Sequence, residues 1–524
     1  MSTYWEDRAV WDLYQNMDDA EAVAALIARV YRRASMQLVF DAQDIFEKYM
    51  TKHKLSELEA RRLLDAVQDK NSLDELLQAL KNKDFSEKNK EELLRELEAP
   101  AYRARMERLQ NMLEQVDTVM ENVYHQEQQF DTSFLRDLGE KAYYQSIYNI
   151  QKRTGLGFSF SHISQKQVDQ VLRMNWSGKH YSKRIWKNTE NLAQALKEEM
   201  LVSLLTGRTD RETAQIIENK FGTGAILARR LIRTESCFVA GELIARGYEE
   251  CGVEKYRYLA TLDLRTSEIC RKLDGKVFPL SERQAGKNYP PMHPWCRSTT
   301  ISIIDEETLA RMKRSAYNPS TGRIEAVPTN MTYDQWYEKY VKGNTKAEAQ
   351  EKAVKNSASD REQYERYQKV LGKEIPKSFA GFQEIKYNEP EKWRFMKLDY
   401  QRRNELLQHP ELKLPNAENA ILPEPKFTKY LFDENNEKGY PKGRAFTDRL
   451  GYGIDNWQKL QKALKEGTTQ YPATFKGNEG FGDRYEQKMV LYGLKGTPAN
   501  VIVAWIKKAD GTTKLTSTYI KEAK

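Results

Sequence analysis

Two cysteines and a histidine lie in a short segment whose residue types suit a metal ion. Cys270 precedes His293 and Cys296, and only two residues separate the last pair. Thiolate sulfur and imidazole nitrogen are ligands that zinc prefers, and the His-x-x-Cys spacing lets one turn present both to a single ion. One interpretation is therefore a structural zinc site, with Asp263 as a candidate oxygen ligand. The alternative is a compact, proline-stiffened turn in which the same side chains pack and hydrogen-bond.

A second set of candidate residues, near the C-terminus, suits phosphate chemistry. Cleavage of RNA by attack of the 2′-hydroxyl needs an acid, a base and cations that stabilise the developing charge. Residues 411–524 contain no histidine, so such a mechanism depends on other side chains. We predict that the catalytic residues are Lys442, Arg444, Thr516, Thr518 and Tyr519. The two cations lie at the start of a predicted helix, where backbone N–H groups also bind phosphate. An ordinary basic surface beside a polar strand face is the alternative.

The composition bounds the class of protein. The chain has 524 residues, which favours three or four domains, and it is 31% charged with a mean hydropathy of −0.78. The net charge of +8 is a mild bias, although residues 416–524 hold 18 Lys and Arg against 13 Asp and Glu. Four cysteines in so long a chain are no disulfide framework and suit a reducing cytosol. We expect no signal peptide, because the N-terminus has no basic start followed by an apolar core. We expect no membrane partner, because no apolar run approaches the length of a membrane span.

The hydrophobic pattern predicts a mainly α protein. Apolar residues recur at steps of three and four along two long stripes. These stripes are Val23, Ile27, Val30, Ala34, Leu38, Ala42, Ile45 and Tyr49, and Met106, Leu109, Leu113, Val116, Met120 and Val123. Thr209 and Glu212 have the spacing of a capping box, which indicates the start of another helix. Short strands are predicted at Tyr256–Leu259 and Thr299–Ile304, on either side of the cysteine and histidine residues.

The last part of the chain has a different pattern. Helices are predicted at 426–434, 442–450 and 455–466, followed by four strands separated by glycine-bearing turns, which is a small α+β domain with a four-stranded antiparallel meander. We therefore predict five regions in chain order. They are an elongated N-terminal helical region at 1–130, a second helical region at 131–250, a small α+β Cys/His module at 251–305, a helical linker at 306–410 and a C-terminal α+β domain at 411–524.

The Cys/His segment resembles a known phage signature. Thr261–Cys270, Leu273–Phe278 and Tyr289–Thr299 are similar to the signature of the Mu-F-like head morphogenesis family, the minor head proteins of tailed phages. Members of that family often carry a further cysteine at the position of Ser267. Other segments of the first 400 residues, among them Leu231–Glu235 and Tyr367–Tyr400, also resemble the family.

The resemblance implies a role in the virion of a phage or prophage. It implies a few copies near the portal, contact with the portal and major capsid proteins and with phage DNA, and a function in capsid assembly and DNA packaging or ejection. The expected location is the phage head, and the host cytoplasm during assembly.

The family pattern ends near residue 410, and minor head proteins of this kind carry interchangeable C-terminal domains. The last domain resembles a small domain of unknown function found in such fusions, and its order of helices and strands is similar to that of ribonuclease toxins of polymorphic toxin systems. One hypothesis is therefore an effector domain, a ribonuclease toxin with RNA as its substrate and a cognate immunity protein as a partner. The other is a purely structural virion protein whose last domain is a docking or assembly module.

Overall fold

The computed structural model describes residues 4–46, 55–67, 73–82, 85, 87–304, 313–478 and 480–522. The chain divides into two compact units, Met1–Lys339 and Tyr340–Lys524, which we call the N-terminal and C-terminal units. The predicted mainly α fold class is confirmed, since long helices make up most of the N-terminal unit. A four-stranded antiparallel sheet forms the last part of the C-terminal unit. Among the described helices, none is long and apolar enough to cross a membrane.

Eight helices precede the Cys/His module among the described residues. They are α1 (Tyr4–Phe46), α2 (Glu57–Asp65), α3 (Leu73–Asn82), α4 (Glu87–Glu98), α5 (Pro100–Thr154), α6 (Gln165–Leu172), α7 (Tyr181–Thr206) and α8 (Asp210–Glu250). Helix α5 has 55 residues and is therefore about 80 Å long. Its proline at the first helical position and its left-handed Gly155 explain where it begins and ends. The predicted capping box at the start of α8 is confirmed.

The predicted apolar stripes form the seam between the long helices. The second stripe is buried throughout, and the first is buried from Ile27 to Ala42, while the side chains of Ile45 and Tyr49 lie outside the described residues. Helices α1, α5, α7 and α8 pack on one another around these residues. Gly247 lets α8 approach α5 closely, because a Cβ there would lie 1.8 Å from the Ser146 hydroxyl.

Two carboxyl groups are buried inside this helical core. Glu127 and Asp131, one turn apart on α5, are 0% and 1% exposed. The Tyr31 hydroxyl donates a hydrogen bond to Glu127 Oε2 at 2.8 Å. Within the described part of the chain, Glu127 Oε1 and Asp131 Oδ1 have no hydrogen-bond partner. Burial raises the pKa of Glu127 to about 7, and burial together with the charges of Glu127 and Glu235 raises the pKa of Asp131.

These carboxyl groups make the N-terminal unit less stable as the pH rises. In the unfolded chain a glutamate ionises near its ordinary pKa of 4.5, whereas folded Glu127 keeps its proton up to about pH 7. The unfolded state therefore binds fewer protons between these values, and stability is lost across that window. We expect Glu127→Gln to stabilise the unit by roughly 1–3 kcal/mol above pH 7, with a smaller gain near pH 5.

Chemical denaturation at several pH values measures this difference. Glu121→Gln is the matched control, because Glu121 lies on the same helix with a side chain that is 64% exposed. It should leave stability unchanged at each pH. A Glu127→Gln protein that is less stable than the wild type at about pH 8 would contradict the prediction.

The Cys/His module is a small sheet with one short helix. Its elements are β1 (Lys255–Leu259), α9 (Glu268–Leu273), β2 (Val277–Pro279) and β3 (Thr299–Ile303). The strands are antiparallel in the order β2-β1-β3. The two strands predicted on either side of the cysteine and histidine residues are thus confirmed, and they pair directly with each other.

A β-hairpin follows the module in a region for which the charged sequence predicted helix. Strands β4 (Lys313–Asn318) and β5 (Arg323–Pro328) pair antiparallel. A buried ion pair explains the difference, because Arg314 donates to Asp274 Oδ2 at 3.0 Å and thereby joins β4 to the module. Asp274 also accepts hydrogen bonds from the backbone N–H groups of Ala260 and Tyr333, both at 2.8 Å. A partner this distant in sequence is invisible to a local pattern.

The C-terminal unit combines helices with one sheet. After α10 (Tyr333–Tyr340), which ends at its boundary, come α11 (Thr345–Lys355), α12 (Ser357–Leu371), α13 (Phe379–Asn388), α14 (Pro390–Gln408), α15 (Tyr440–Leu450) and α16 (Trp457–Gly467). The strands are β6 (Ala473–Asn478), β7 (Asp483–Leu491), β8 (Ala499–Lys507) and β9 (Thr513–Ile520). Their order β6-β7-β8-β9 confirms the predicted meander. The helix predicted at 426–434 is a single π-helical turn, Phe427–Leu431.

A buried polar cluster joins α14 to this sheet. Asp399 is 0% exposed and accepts hydrogen bonds from Arg403 at 2.8 Å, Tyr471 at 2.6 Å and Tyr492 at 3.0 Å. Arg402, on the same helix, donates to the Asn500 side chain at 2.8 Å. The helices before residue 410 therefore belong to the same compact unit as the predicted C-terminal domain.

Candidate metal site and C-terminal basic site

The module brings the predicted metal ligands together from two local structures. Cys270 lies in the first turn of α9, whose N-cap is Ser267. His293 and Cys296 lie in a tight turn closed by a hydrogen bond from the Cys296 N–H to the His293 carbonyl, at 3.1 Å. Trp295 adopts a left-handed backbone conformation (φ 65°), which folds this turn back.

The three side chains converge closely. Cys270 Sγ lies 3.4 Å from His293 Nε2 and 3.9 Å from Cys296 Sγ, and all three potential ligand atoms lie within 4.8 Å of one another. Both cysteines are 2% exposed, while His293 is half-buried. This is a Cys-His-Cys cluster with the donor set of a metal site.

Neighbouring groups tune the protonation of the cluster. The hydrogen bond with Cys296, together with burial, raises the pKa of Cys270 to about 12. The hydrogen bond with Cys270 raises the pKa of His293, and the hydrogen bond with Cys237 raises that of Cys296. Without a metal, both buried thiols therefore carry their protons at neutral pH. Displacing those protons is part of any binding reaction at this site.

Asp263 does not join the cluster. Its carboxylate accepts hydrogen bonds from the Arg297 guanidinium, one of them at 2.8 Å, and from the Arg265 N–H at 2.9 Å. The Arg297 charge holds the pKa of Asp263 below its usual range despite burial, which raises it. The suggestion that Asp263 is an oxygen ligand is therefore wrong.

Two residues beside the cluster were not selected as site residues by reasoning from the sequence. Ser267 Oγ lies 2.7 Å from His293 Nε2, and the Tyr258 hydroxyl donates to Cys270 Sγ at 3.3 Å. Ser267 could have been found, because it occupies the position where the family often has cysteine. Tyr258 carried no such signal, since its role depends on how β1 packs against α9.

The C-terminal basic site gathers around Lys442, at the start of α15. Its ammonium group donates to the hydroxyls of Tyr430 at 3.1 Å and Ser517 at 3.4 Å. It also lies 5.4 Å from the ring centre of Tyr430 and 5.8 Å from that of Tyr519. The structure thus brings two of the predicted catalytic residues together, with Tyr430 and Ser517 as additional members that the sequence analysis did not select.

The other predicted residues occupy different surroundings. Thr518 is 2% exposed and donates to the Ile502 carbonyl at 3.0 Å, and Thr516 donates to the Ala504 carbonyl at 2.9 Å. Because successive residues of a strand project to opposite faces, Thr518 and Tyr519 point to different sides of β9. Arg444 is largely exposed, with its guanidinium 3.7 Å from Asp448.

Two segments of the chain match models of known protein families. Residues 194–301 match the family described as Phage Mu protein F like protein, and residues 413–522 match a domain of unknown function (DUF6883). The resemblance to the Mu-F-like family is therefore confirmed for the segment that contains α8 and the Cys/His module. No solved structure matches the chain.

Three curated proteins are similar to parts of the chain. An Enterococcus faecalis protein named NAD(+)–arginine ADP-ribosyltransferase EFV is 22% identical over 256 residues, 46% of this chain and 51% of that protein. The minor head protein GP7 of Bacillus phage SPP1 is 25% identical over 223 residues, 39% of this chain and 68% of that protein. An uncharacterized Haemophilus influenzae protein is 26% identical over 106 residues, 20% of this chain and 24% of that protein. The chain thus spans about half the length of the first of these relatives.

Proposed function

We propose that this protein, which carries a domain of the Mu-F-like head morphogenesis family, is a minor head protein of a tailed phage or prophage. The observation that carries the proposal is the match of residues 194–301 to that family, together with the similarity to a phage minor head protein over 39% of the chain. Its partners are the portal and major capsid proteins and phage DNA. Its role is in capsid assembly and in DNA packaging or ejection.

Purified virions test this role directly. We expect mass spectrometry to find the full-length chain in particles, and a nonsense mutation in its gene to lower the yield of infectious particles. Supplying the wild-type chain in trans should restore the yield. Particles that lack the chain and an unchanged infectious yield in the mutant would contradict the proposal.

We further propose that the predicted domain at 411–524 is an effector that cleaves RNA. Lys442 would bind a phosphate oxygen of the RNA. The hydroxyls of Tyr430, Ser517 and Tyr519 would position that phosphate, and exposed Arg444 would contact the neighbouring sugar-phosphate backbone. Thr516 and Thr518 would support strand β9 through their carbonyl contacts. The name of the E. faecalis relative supports the idea that a chain similar to this one can carry an enzyme.

Expression of the full chain in the host tests the effector proposal. We expect growth arrest with loss of intact RNA, and relief when an adjacent immunity gene is coexpressed. Normal growth with intact RNA would contradict it and would favour the docking or assembly module.

A further inference from the structure

We propose that Cys270, His293 and Cys296 bind one zinc ion, and that a water molecule beside Ser267 completes its coordination. The proposal is independent of the head and effector functions, because it concerns only the geometry of the Cys/His module. The ion would be structural and would join α9 to the His293–Cys296 turn. These two segments are separated in the chain by β2 and the residues that follow it.

Two of the three separations between the ligand atoms fit a tetrahedral zinc ion. Bonds of about 2.3 Å to sulfur and about 2.05 Å to nitrogen place two sulfur ligands about 3.8 Å apart, and a sulfur and a nitrogen about 3.6 Å apart. The observed separations are 3.9 Å between the two sulfur atoms and 3.4 Å between Cys270 Sγ and His293 Nε2. Tetrahedral coordination requires both of these separations, and the third pair of ligand atoms, His293 Nε2 and Cys296 Sγ, also lies within 4.8 Å.

The imidazole of His293 has the orientation of a metal ligand. Its Nδ1 lies 2.7 Å from the carbonyl oxygen of Pro294, an acceptor that requires an N–H on Nδ1. The lone pair is then on Nε2, the nitrogen that faces Cys270. Ligating histidines usually bind a carbonyl or carboxylate in this way through the nitrogen that does not contact the metal.

Neither of the other nearby candidate ligands, Asp263 and Cys237, supplies the fourth ligand of the ion. Asp263 pairs with Arg297, and the Cys237 thiol is directed to the Ser298 carbonyl at 3.6 Å and lies outside the converging group. Ser267 Oγ lies 2.7 Å from His293 Nε2, and both residues are half-buried, so the proposed water molecule lies beside Ser267. Its hydroxyl can hydrogen-bond a water molecule on the ion as it now hydrogen-bonds the imidazole.

Binding changes the bonding of three groups and releases two protons. Each of the two thiols transfers its proton to solvent and forms a sulfur–zinc bond. The imidazole stays neutral and exchanges the hydrogen bond at Nε2 for a bond to zinc, so no oxidant or reductant is involved.

Metal binding to the full-length protein tests the ligand set. After treatment with a chelator and a thiol reductant, we expect the wild-type chain to bind one Zn²⁺, and Co²⁺ to give the absorption of a site with two thiolates. Cys270→Ala, Cys296→Ala and His293→Ala should each weaken binding by more than the roughly 10- to 100-fold that losing an outer-shell partner costs. Cys251→Ala is the matched control and should bind as the wild type does, whereas Cys237→Ala removes a hydrogen-bond partner of Cys296 and should weaken binding by no more than that outer-shell amount.

A gain of affinity keeps the test informative if the alanine variants fold poorly. Ser267→Cys places a third thiolate at the fourth position, and we expect it to raise zinc affinity by roughly tenfold or more and to shift the Co²⁺ spectrum to that of three thiolates. The proposal is overturned if neither the wild type nor Ser267→Cys binds zinc, if Cys237→Ala abolishes binding, or if Cys270 and Cys296 form a disulfide in the native protein.

Discussion

Replacing Asp399 with alanine should lower the free energy of unfolding of the C-terminal unit by about 3–5 kcal/mol. The carboxylate is fully buried between α14 and the sheet, with three side-chain donors around it. Its removal leaves the buried guanidinium of Arg403 without a counter-charge and takes an acceptor from two tyrosine hydroxyls. An uncompensated buried charge costs far more than the lost ion pair itself.

Hydrogen exchange of the full-length protein locates this effect. Amides of β6 to β9 should exchange faster in Asp399→Ala, while those of the N-terminal unit stay unchanged. Asp448→Ala is the matched control, because its side chain is 70% exposed and lies 3.7 Å from Arg444. A solvent-exposed pair of this kind contributes little, so the control should change stability by less than about 1 kcal/mol. Equal exchange in both variants would show that α14 does not stabilise the sheet.

Replacing Lys442 with alanine should reduce RNA cleavage by the full-length protein about 100- to 1000-fold, if the effector proposal is correct. Its ammonium group is the cation around which the hydroxyls of Tyr430 and Ser517 and the ring of Tyr519 are arranged. A preorganised charge aimed at the developing oxyanion acts mainly in the transition state, so the rate should fall more than RNA binding does.

Matched variants separate this role from a general effect of charge or folding. Lys459→Ala removes an exposed lysine from α16 in the same unit and should leave cleavage unchanged. Tyr519→Phe keeps the ring and tests the hydroxyl, whereas Thr518→Val removes a buried hydroxyl bonded to the main chain and should affect stability rather than rate. Full cleavage by Lys442→Ala would place the site elsewhere.

The extent of the C-terminal unit affects how such experiments should be designed. The charge pattern and the end of the family resemblance both suggested a boundary near residue 410. However, Asp399 and Arg402 lie before that position, and their partners Tyr471, Tyr492 and Asn500 lie next to or within the strands of the sheet. A fragment that begins at residue 411 would lack these groups, and Tyr471 would lose Asp399 as one of its two acceptors. The full chain is therefore the appropriate material for both assays.

The sequence by itself determined the secondary structure of the long elements. The stripes from Ile27 and from Met106 predicted buried helix faces, because a regular helix places residues three and four apart on one side. The strand-like runs after residue 470, separated by glycine-bearing turns, predicted the meander because runs and turns are also local properties. The Cys-His-Cys donor set of Cys270, His293 and Cys296 was also predictable, since their residue types and the spacing of the last two are local properties.

The tertiary structure decided which distant groups meet. Ser267 lies beside His293 only because α9 and the later turn pack on the same strands. The hairpin that contains Arg314 is joined to the module because Arg314 forms an ion pair with the buried Asp274. Likewise, Thr518 faces the interior while Tyr519 meets Lys442, an arrangement set by the register of β9 against β8. Period and spacing describe one segment at a time, whereas these contacts depend on the packing and register between segments far apart in the chain.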